Sequence, residues 1–257
     1  MLTPPEIARS LLAAGESKAR LPFGKMLLLA ILAGAYIALA GVGATAAAVT
    51  VESGSLAKLL SACVFPAGLS MVILAGSELF TGNCLMVMAL LERRITPAQL
   101  LRNWLTVYLG NAVGGAAVAA LAVYSHTASL FGDGLARSMV SIAESKAALG
   151  AGDAFLRGVL CNFLVCLAVW MAAASKHAEG KVIALFFPIL LFVLCGYEHC
   201  IANLYYLPAG AFAAAEYGME TTLTLAGCLK NLAAVTLGNL VGGAALGVGY
   251  RFAYLKE

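Results

Sequence analysis

Two short segments, far apart in the chain, repeat one pattern: a glycine, a glutamate two positions later, and an asparagine five positions after that. They are residues 76–83 and 196–203. Their glutamates, Glu78 and Glu198, lie inside long apolar runs, where a carboxylate is costly unless it is paired or solvated. His199 follows the second glutamate, and a histidine in such a place can donate a hydrogen bond or a proton to the anion of a weak acid. The pattern therefore indicates a site for a small anion inside an apolar protein.

Each of these residues also has a structural interpretation. Glu78 and Glu198 can hold loops by accepting hydrogen bonds from backbone N–H groups, and the sequence favours this interpretation for both. His199 can be a core histidine with satisfied hydrogen bonds, but its place in a duplicated segment favours a functional role. Thr81 lies in the first segment and offers its hydroxyl to the same ligand.

The elements that must position these residues are predicted to be membrane-spanning helices. The 257 residues are 62% hydrophobic and only 11% charged, with a mean hydropathy of +0.92. Ordinary soluble domains carry roughly 25% charged residues, and a span needs about 20 apolar residues. Six spans are predicted, at residues 26–50, 58–91, 104–126, 153–174, 182–213 and 226–250. We expect the second and fifth to be broken at their glutamates, with helix N-termini that face the centre and favour an anion.

A second repeated pattern indicates an internal duplication. Leu-Gly-Asn-x-Val-Gly-Gly-Ala occurs at residues 109–116 and 237–244, in the third and sixth spans. Because each half holds three spans, the two halves must have opposite orientations in the membrane, as in many transporters. The small residues favour close helix packing, and Asn111 and Asn239 either bridge broken helix ends or line a pore. The predicted organisation is one transmembrane domain over 1–257, with inverted repeats at 26–126 and 153–252.

Basic residues are distributed unequally between the two sets of span ends. One set carries Arg9, Lys18, Arg20, Lys25, Arg93, Arg94, Arg102, Lys176, Lys181, Arg251 and Lys256; the other carries Lys58, Arg137, Lys146, Arg157 and Lys230. The richer set should be cytoplasmic, which places both termini there, in a prokaryotic-type inner or plasma membrane. Residues 1–25 are predicted to form an amphipathic helix on that side, either an interfacial anchor or a gate over a pore mouth.

Other classes of protein are disfavoured. The chain contains neither H-E-x-x-H nor G-x-S-x-G, so the sequence does not indicate an enzyme. The net charge of +3 does not indicate a nucleic-acid partner, and the spacing of the seven cysteines supports neither a disulfide framework nor a metal site. No cofactor is expected. An aquaporin-type channel for water or neutral solutes stays open, although two Asn-Pro-Ala motifs are absent and His199 occupies one break.

At the repeated segments the chain resembles the formate/nitrite transporter family. The family's hallmark segments are matched by Gly-Ser-Glu-Leu-Phe-Thr-Gly-Asn at 76–83, Gly-Tyr-Glu-His-Cys-Ile-Ala-Asn at 196–203 and Cys-Asn-Phe-Leu-Val-Cys-Leu-Ala-Val-Trp at 161–170. The resemblance implies an aquaporin-like protomer, a homopentamer and one anion pore in each protomer. The sequences of these segments are closest to those of nitrite-type members, while formate- and hydrosulfide-type members share the motifs. Two residues depart from the family's pattern: Tyr197 replaces the Phe of formate-type members, and Cys200 stands where Ser is common after the histidine.

The resemblance also implies roles for individual residues. His199 matches the family's central histidine, Asn162 and Asn239 match polar groups along the path, and Lys146 matches a lysine that attracts anions near the periplasmic mouth. Apolar constrictions are expected at Leu79, Phe80 and Val165 on the periplasmic side and at Phe65, Leu69 and Phe192 on the cytoplasmic side. Glu78, Glu198, Asn83 and Asn203 are expected to support the broken helices.

These roles give an expected mechanism for nitrite, formate or hydrosulfide. A bare anion crosses apolar constrictions poorly because it loses its hydration there. Between the constrictions, Thr81 and His199 would offer hydrogen bonds, and His199 would either bind the anion or transfer a proton to it. Transport that depends on pH is the expected consequence.

Overall fold

The computed structural model describes residues 1–255, and every regular element in that range is a helix. Lys256, counted above among the basic residues, lies outside the described range. The helices are α1 (Pro4–Ala19), α2 (Phe23–Ala48), α3 (Gly54–Val64), α4 (Pro66–Ala75), α5 (Phe80–Asn83), α6 (Val87–Leu91), α7 (Pro97–Tyr124), α8 (Gly134–Ala148), α9 (Ala151–Ala173), α10 (Ala178–Leu194), α11 (Cys200–Glu216) and α12 (Leu225–Tyr254).

Within residues 1–255, five helical segments are long and apolar enough to cross a membrane. They are Phe23–Ala48, Gly54–Ala75, Pro97–Tyr124, Ala151–Ala173 and Leu225–Tyr254. The fifth predicted span is divided between α10 and α11, each of 17 residues. The protein is therefore an all-helical, multi-pass membrane protein, as the sequence predicts.

The second and fifth spans are interrupted next to the two glutamates. Gly76 ends α4 with a φ of 79°, and Gly196 follows α10 with a φ of 69°. A side chain at either position would be strained, which explains why both breaks contain glycine. The chain resumes as helix at Phe80 and at Cys200. The predicted breaks are thus confirmed in both halves.

Helix α8 is missing from the sequence-based prediction, which leaves residues 127–152 without a helix. Its buried residues Leu135, Ala136, Met139, Val140 and Ala143 follow the spacing of one helix face, and this face packs on α11. At 15 residues it is too short to be a span. Lys146, which we expected in a loop, lies in the last turn of α8.

Glycines bring the long helices into close contact in equivalent places of the two halves. In the first half α7 packs on α2, and a Cβ at Gly114 would lie 1.9 Å from the carbonyl oxygen of Ile31. In the second half α12 packs on α9, and a Cβ at Gly242 would lie 2.0 Å from the carbonyl oxygen of Val159. The close packing predicted for the repeated motif is therefore present twice, which supports the duplication.

This packing predicts a clear difference between two glycine substitutions. Gly114→Ala should destabilise the protein by about 1–3 kcal/mol, because the new methyl group meets backbone that moves only with α2. Gly249→Ala on α12 meets open space within the protomer and should stabilise the helix by about 0.5–1 kcal/mol. Thermal unfolding of both purified variants in detergent measures the difference. Equal midpoints would contradict this account of the helix contact.

Candidate substrate pathway

The two breaks bring a threonine and a histidine together near the centre of the protein. The Thr81 hydroxyl oxygen lies 3.0 Å from His199 Nε2, and both residues are buried. Thr81 belongs to α5 in the first half, while His199 is the residue before α11 in the second. The two polar groups expected to face one ligand are thus neighbours across the two halves.

The hydrogen bonds of His199 fix which ring nitrogen carries the proton. Its Nδ1 accepts the backbone N–H of Ala202 at 3.0 Å, so His199 is the N-cap of α11. A neutral imidazole has one N–H, which must then be on Nε2, the nitrogen that faces Thr81. A second ring proton would remove this N-cap acceptor. The geometry therefore makes His199 a neutral donor of an Nε2–H hydrogen bond.

In the first half, Glu78 is surrounded by polar partners. Its carboxylate accepts a hydrogen bond from Lys18 Nζ at 2.6 Å and from Asn83 Nδ2 at 2.7 Å. Asn83 Nδ2 also donates to Asn103 Oδ1 at 2.9 Å. The glutamate is thus paired and hydrogen-bonded, as a carboxylate at this depth must be.

The second half repeats the same cluster. Glu198 accepts from Lys146 Nζ at 2.9 and 3.1 Å and from Asn203 Nδ2 at 2.7 Å. Asn203 Nδ2 donates to Asn231 Oδ1 at 2.8 Å. The expectation that the glutamates accept backbone N–H groups is therefore wrong: within residues 1–255 their partners are lysine and asparagine side chains.

Asparagines, instead, hold the backbone of the breaks. Asn111 Oδ1 accepts the N–H of Phe80 at 3.0 Å, and its Nδ2 donates to the carbonyl oxygens of Ala30 and Glu78 at 2.7 and 2.9 Å. The amide thereby connects the start of α5, the loop before it and α2. Of the two roles left open for this residue, the structure shows the bridge.

Asn239 makes the equivalent contacts in the second half. Its Oδ1 accepts the N–H of Cys200 at 2.9 Å, and its Nδ2 donates to the carbonyl oxygens of Gly158 and Glu198 at 2.8 and 2.9 Å. Asn162 Nδ2 donates to the carbonyl oxygen of Asn239 at 2.7 Å. We expected Asn162 and Asn239 along the substrate path. The structure buries both completely and uses them to hold backbone.

Two vestibules approach the centre from opposite faces. The wide vestibule, of about 730 Å³, opens on the face opposite α1 and is lined by residues that include Lys58, Lys146 and His199. The narrow vestibule, of about 290 Å³, opens beside α1 and is lined by residues that include Lys18 and Glu78. Between them lies a central cavity of about 10 Å³ that His199 also lines. A cavity of this size holds about one water molecule at most.

Apolar side chains separate the central cavity from each vestibule. The rings of Phe65 and Phe192, with centroids 5.7 Å apart, line both the wide vestibule and the central cavity. Leu69 and Leu79 line the central cavity and the narrow vestibule, and Val165 lines the central cavity. From the narrow vestibule His199 is reached only past Leu69 and Leu79, whereas His199 itself lines the wide vestibule beside the rings of Phe65 and Phe192.

Relative to the N-terminal helix, the predicted sides of these constrictions are wrong for Phe65, Phe192 and Leu79 and right for Leu69. We expected Phe65, Leu69 and Phe192 on the side of the chain termini, and Leu79 with Val165 on the other side. Because α3 begins on the face opposite α1, Phe65 is reached first from that face, and Phe192 accompanies it. Leu69 lies toward α1, as expected, and Leu79 lies on that side too.

Phe80 belongs to neither constriction. It lines none of the three cavities, and its ring packs edge-on against the rings of Tyr108 and Trp104, at centroid distances of 5.0 and 6.4 Å. Its contribution in this structure is to the packing around α5.

Several supporting residues escaped the sequence analysis. Lys18 was counted for orientation alone, yet it forms the first-half ion pair, and Asn103 and Asn231 complete the two clusters. A signal was present: Lys18 and Lys146 stand at equivalent positions of the repeat, as do the two asparagines. In each pair, the two residues are separated by the same number of positions as the two Leu-Gly-Asn motifs.

The sequence and the fold agree with one known family. A family model described as Formate/nitrite transporter matches residues 5–253. The chain belongs to the formate/nitrite transporter family. A "Probable formate transporter" of Methanothermobacter thermautotrophicus is 38% identical, over 99% of this chain and 98% of that protein. The "Formate channel FocA" of Haemophilus influenzae is 39% identical, over 86% of this chain and 84% of that protein.

Solved structures of formate/nitrite transporter proteins have the same fold. An "FNT family ion channel" superimposes with a TM-score of 0.86 at 32% identity, covering 96% of this chain and 98% of that one. A "Pentameric formate channel with formate bound" gives a TM-score of 0.80 at 33% identity, covering 91% of this chain and 98% of that one. The protein is therefore a membrane transport protein and not an enzyme.

Proposed function

We propose that the protein conducts small monovalent anions of weak acids, with formate as the first candidate and nitrite and hydrosulfide as further ones. The observation that carries the proposal is the neutral His199 Nε2–H donor, buried among apolar side chains at the central cavity. Relatives and a similar solved structure that are named for formate support this substrate, although the sequences of the segments at the breaks are closest to nitrite-type members. A homopentamer is proposed on the same neighbour.

In the proposed mechanism, an anion leaves water in a vestibule and passes apolar side chains to reach His199. Losing hydration is costly for a bare anion, and a hydrogen bond to a charged acceptor recovers part of that cost. The Nε2–H can serve as this donor if the Thr81 hydroxyl moves away or if the N–H is shared between Thr81 and the anion. Donating the proton itself would turn a neutral imidazole into an imidazolate. The tautomer therefore favours hydrogen bonding over proton donation by His199.

We further propose that the chain lies in an inner or plasma membrane with both termini in the cytoplasm. The basic residues at the ends of α1, α6, α7 and α12 support this orientation. The wide vestibule would then open to the periplasm and the narrow one to the cytoplasm, beneath α1. Lys18 joins α1 to the loop at Glu78, so α1 is tied to the pathway on that side.

The proposal is tested by flux into proteoliposomes of the purified protein. Tracer or dye assays should show formate, nitrite and hydrosulfide entering much faster than chloride. Swelling in glycerol should match that of empty liposomes. Equal flux of all anions, or water and glycerol flux alone, would contradict the proposal, and the second outcome would favour the aquaporin-type alternative.

The role of His199 is tested with a substitution that keeps its N-cap. Asparagine is a good N-cap residue, so His199→Asn should retain the start of α11 while it withdraws the Nε2–H donor. Formate flux should fall about 10- to 100-fold, the usual worth of a hydrogen bond to a charged group. His177→Asn is the matched control, because His177 is the exposed N-cap of α10. Unchanged flux in a folded His199→Asn pentamer would remove His199 from the mechanism.

A further inference from the structure

The charges along the wide vestibule are of one sign. Its lining includes Lys58, Arg137 and Lys146, and among residues 1–255 no aspartate or glutamate lines it. Hydroxyl groups of Ser61, Ser138 and Ser141 add hydrogen-bond donors. A cleft with such a lining concentrates anions, and the question is which cation supplies the field.

Lys146, the lysine that the family resemblance selects, is neutralised. Both carboxylate oxygens of Glu198 lie at hydrogen-bond distance from its ammonium, and its side chain is 15% exposed. The pair has no net charge, so its field falls off faster than that of a single cation. Arg137 is exposed and its guanidinium donates to the carbonyl oxygen of Gly132, in the loop before α8. Lys146 is therefore suited to holding Glu198 in place.

Lys58 differs from Lys146 in both respects. It is exposed on α3, and within the described part of the chain its ammonium forms no ion pair. Ser61 and Phe65 follow it by three and seven positions, so the three residues share one helix face, and all three line the wide vestibule. This face leads over about 10 Å of helix from the mouth to the aromatic constriction.

We propose that Lys58 supplies an uncompensated positive charge to the wide vestibule, in addition to that of Arg137, and forms, with the hydroxyl of Ser61, a first binding site for small monovalent anions. The site lies on the path before Phe65 and Phe192. The proposal rests on the anion transport proposed above and assigns the attraction of the anion to Lys58 instead of Lys146. Since an exposed charge acts through solvent, its effect should be strong at low ionic strength and screened by salt.

The experiment is equilibrium exchange of labelled formate in proteoliposomes, at low and high ionic strength. Exchange uses both mouths in every orientation of the inserted protein, so the sidedness of reconstitution does not matter. At subsaturating formate and low ionic strength, Lys58→Gln should slow exchange about threefold and Lys58→Glu about tenfold, while Lys58→Arg stays near wild type. In a high concentration of an impermeant salt the variants should converge. Lys230→Gln is the control, because Lys230 is exposed and lines a separate surface groove beside α8.

Each outcome decides the proposal. Unchanged exchange in Lys58→Gln, a loss that high salt does not remove, or an equal loss in Lys230→Gln would overturn it. Wild-type exchange by Lys58→Glu at high salt shows that the variant is folded. Wild-type protein that exchanges no formate at all would overturn the proposed function itself, whereas normal wild-type exchange with insensitive variants would overturn the Lys58 site alone.

Discussion

Lys146→Met should destabilise the protein by about 3–5 kcal/mol, one of the two largest effects that we expect from a single substitution. The change leaves the carboxylate of Glu198, which is 6% exposed, with the amide of Asn203 as its remaining described side-chain partner. A buried charge without a counter-ion is far more costly than the pair is favourable. Thermal or denaturant unfolding of the detergent-solubilised protein measures the loss.

The double variant Lys146→Met/Glu198→Gln separates charge from packing. Removing both charges should recover most of the stability, because a neutral amide can still accept from Asn203. Lys18→Met should cost less than Lys146→Met, because the Lys18 side chain is 30% exposed and water can reach Glu78 more easily. Additive effects of the two single changes in the second-half pair would show that the ion pair is not the cause.

Asn239→Leu should prevent folding or cost about 3–6 kcal/mol. Leucine is close to asparagine in size, but it leaves the N–H of Cys200 and the carbonyl oxygens of Gly158 and Glu198 without their buried partner. Each such group costs about 1–3 kcal/mol. The measurements are the yield of folded protein by size-exclusion chromatography and the unfolding midpoint.

Thr236→Val on the same helix is the control for Asn239→Leu. Thr236 is half-buried and shares one hydrogen bond, of 3.0 Å, with the hydroxyl of Tyr108. Its loss should cost about 1 kcal/mol. If the two variants had equal midpoints, Asn239 would not be the residue that holds the second break.

The two breaks were predictable because their cause is local. A glycine with positive φ ends each helix, and a carboxylate two residues later is unusual in a span, so Gly76 and Gly196 mark the positions in the sequence. The duplication strengthened this prediction, because the same glycine and glutamate pattern occurs in both halves. His199 was singled out because it lies in one of these duplicated breaks.

The order of the constrictions was not predictable, because it depends on tertiary arrangement. Phe65 and Leu69 are four residues apart and face the same way, yet about 6 Å of helix rise places them on different sides of the central cavity. Only the position of α1 and of the start of α3 shows which side is which. Sequence motifs carry no such information.

The buried asparagines show a second limit of sequence reasoning. An amide inside a span suggests a path for a polar ligand, and Asn162 and Asn239 were assigned to the path by the family resemblance. The opened backbone of a broken helix needs partners too, and the two amides serve it. Whether an amide lines a path or holds the backbone of a broken helix depends on its contacts with other helices.

Leu79 and His199 occupy the same position of the repeat, each directly after its glutamate. The scaffold around them is nearly two-fold, but one residue contributes to an apolar barrier and the other donates a hydrogen bond. An ancestor built from two identical halves would have had two such donors or none. With both halves in one chain, the two equivalent positions can carry different residues, one for the apolar barrier and one for the hydrogen-bond donor. A symmetric assembly of identical half-length chains could not have this difference.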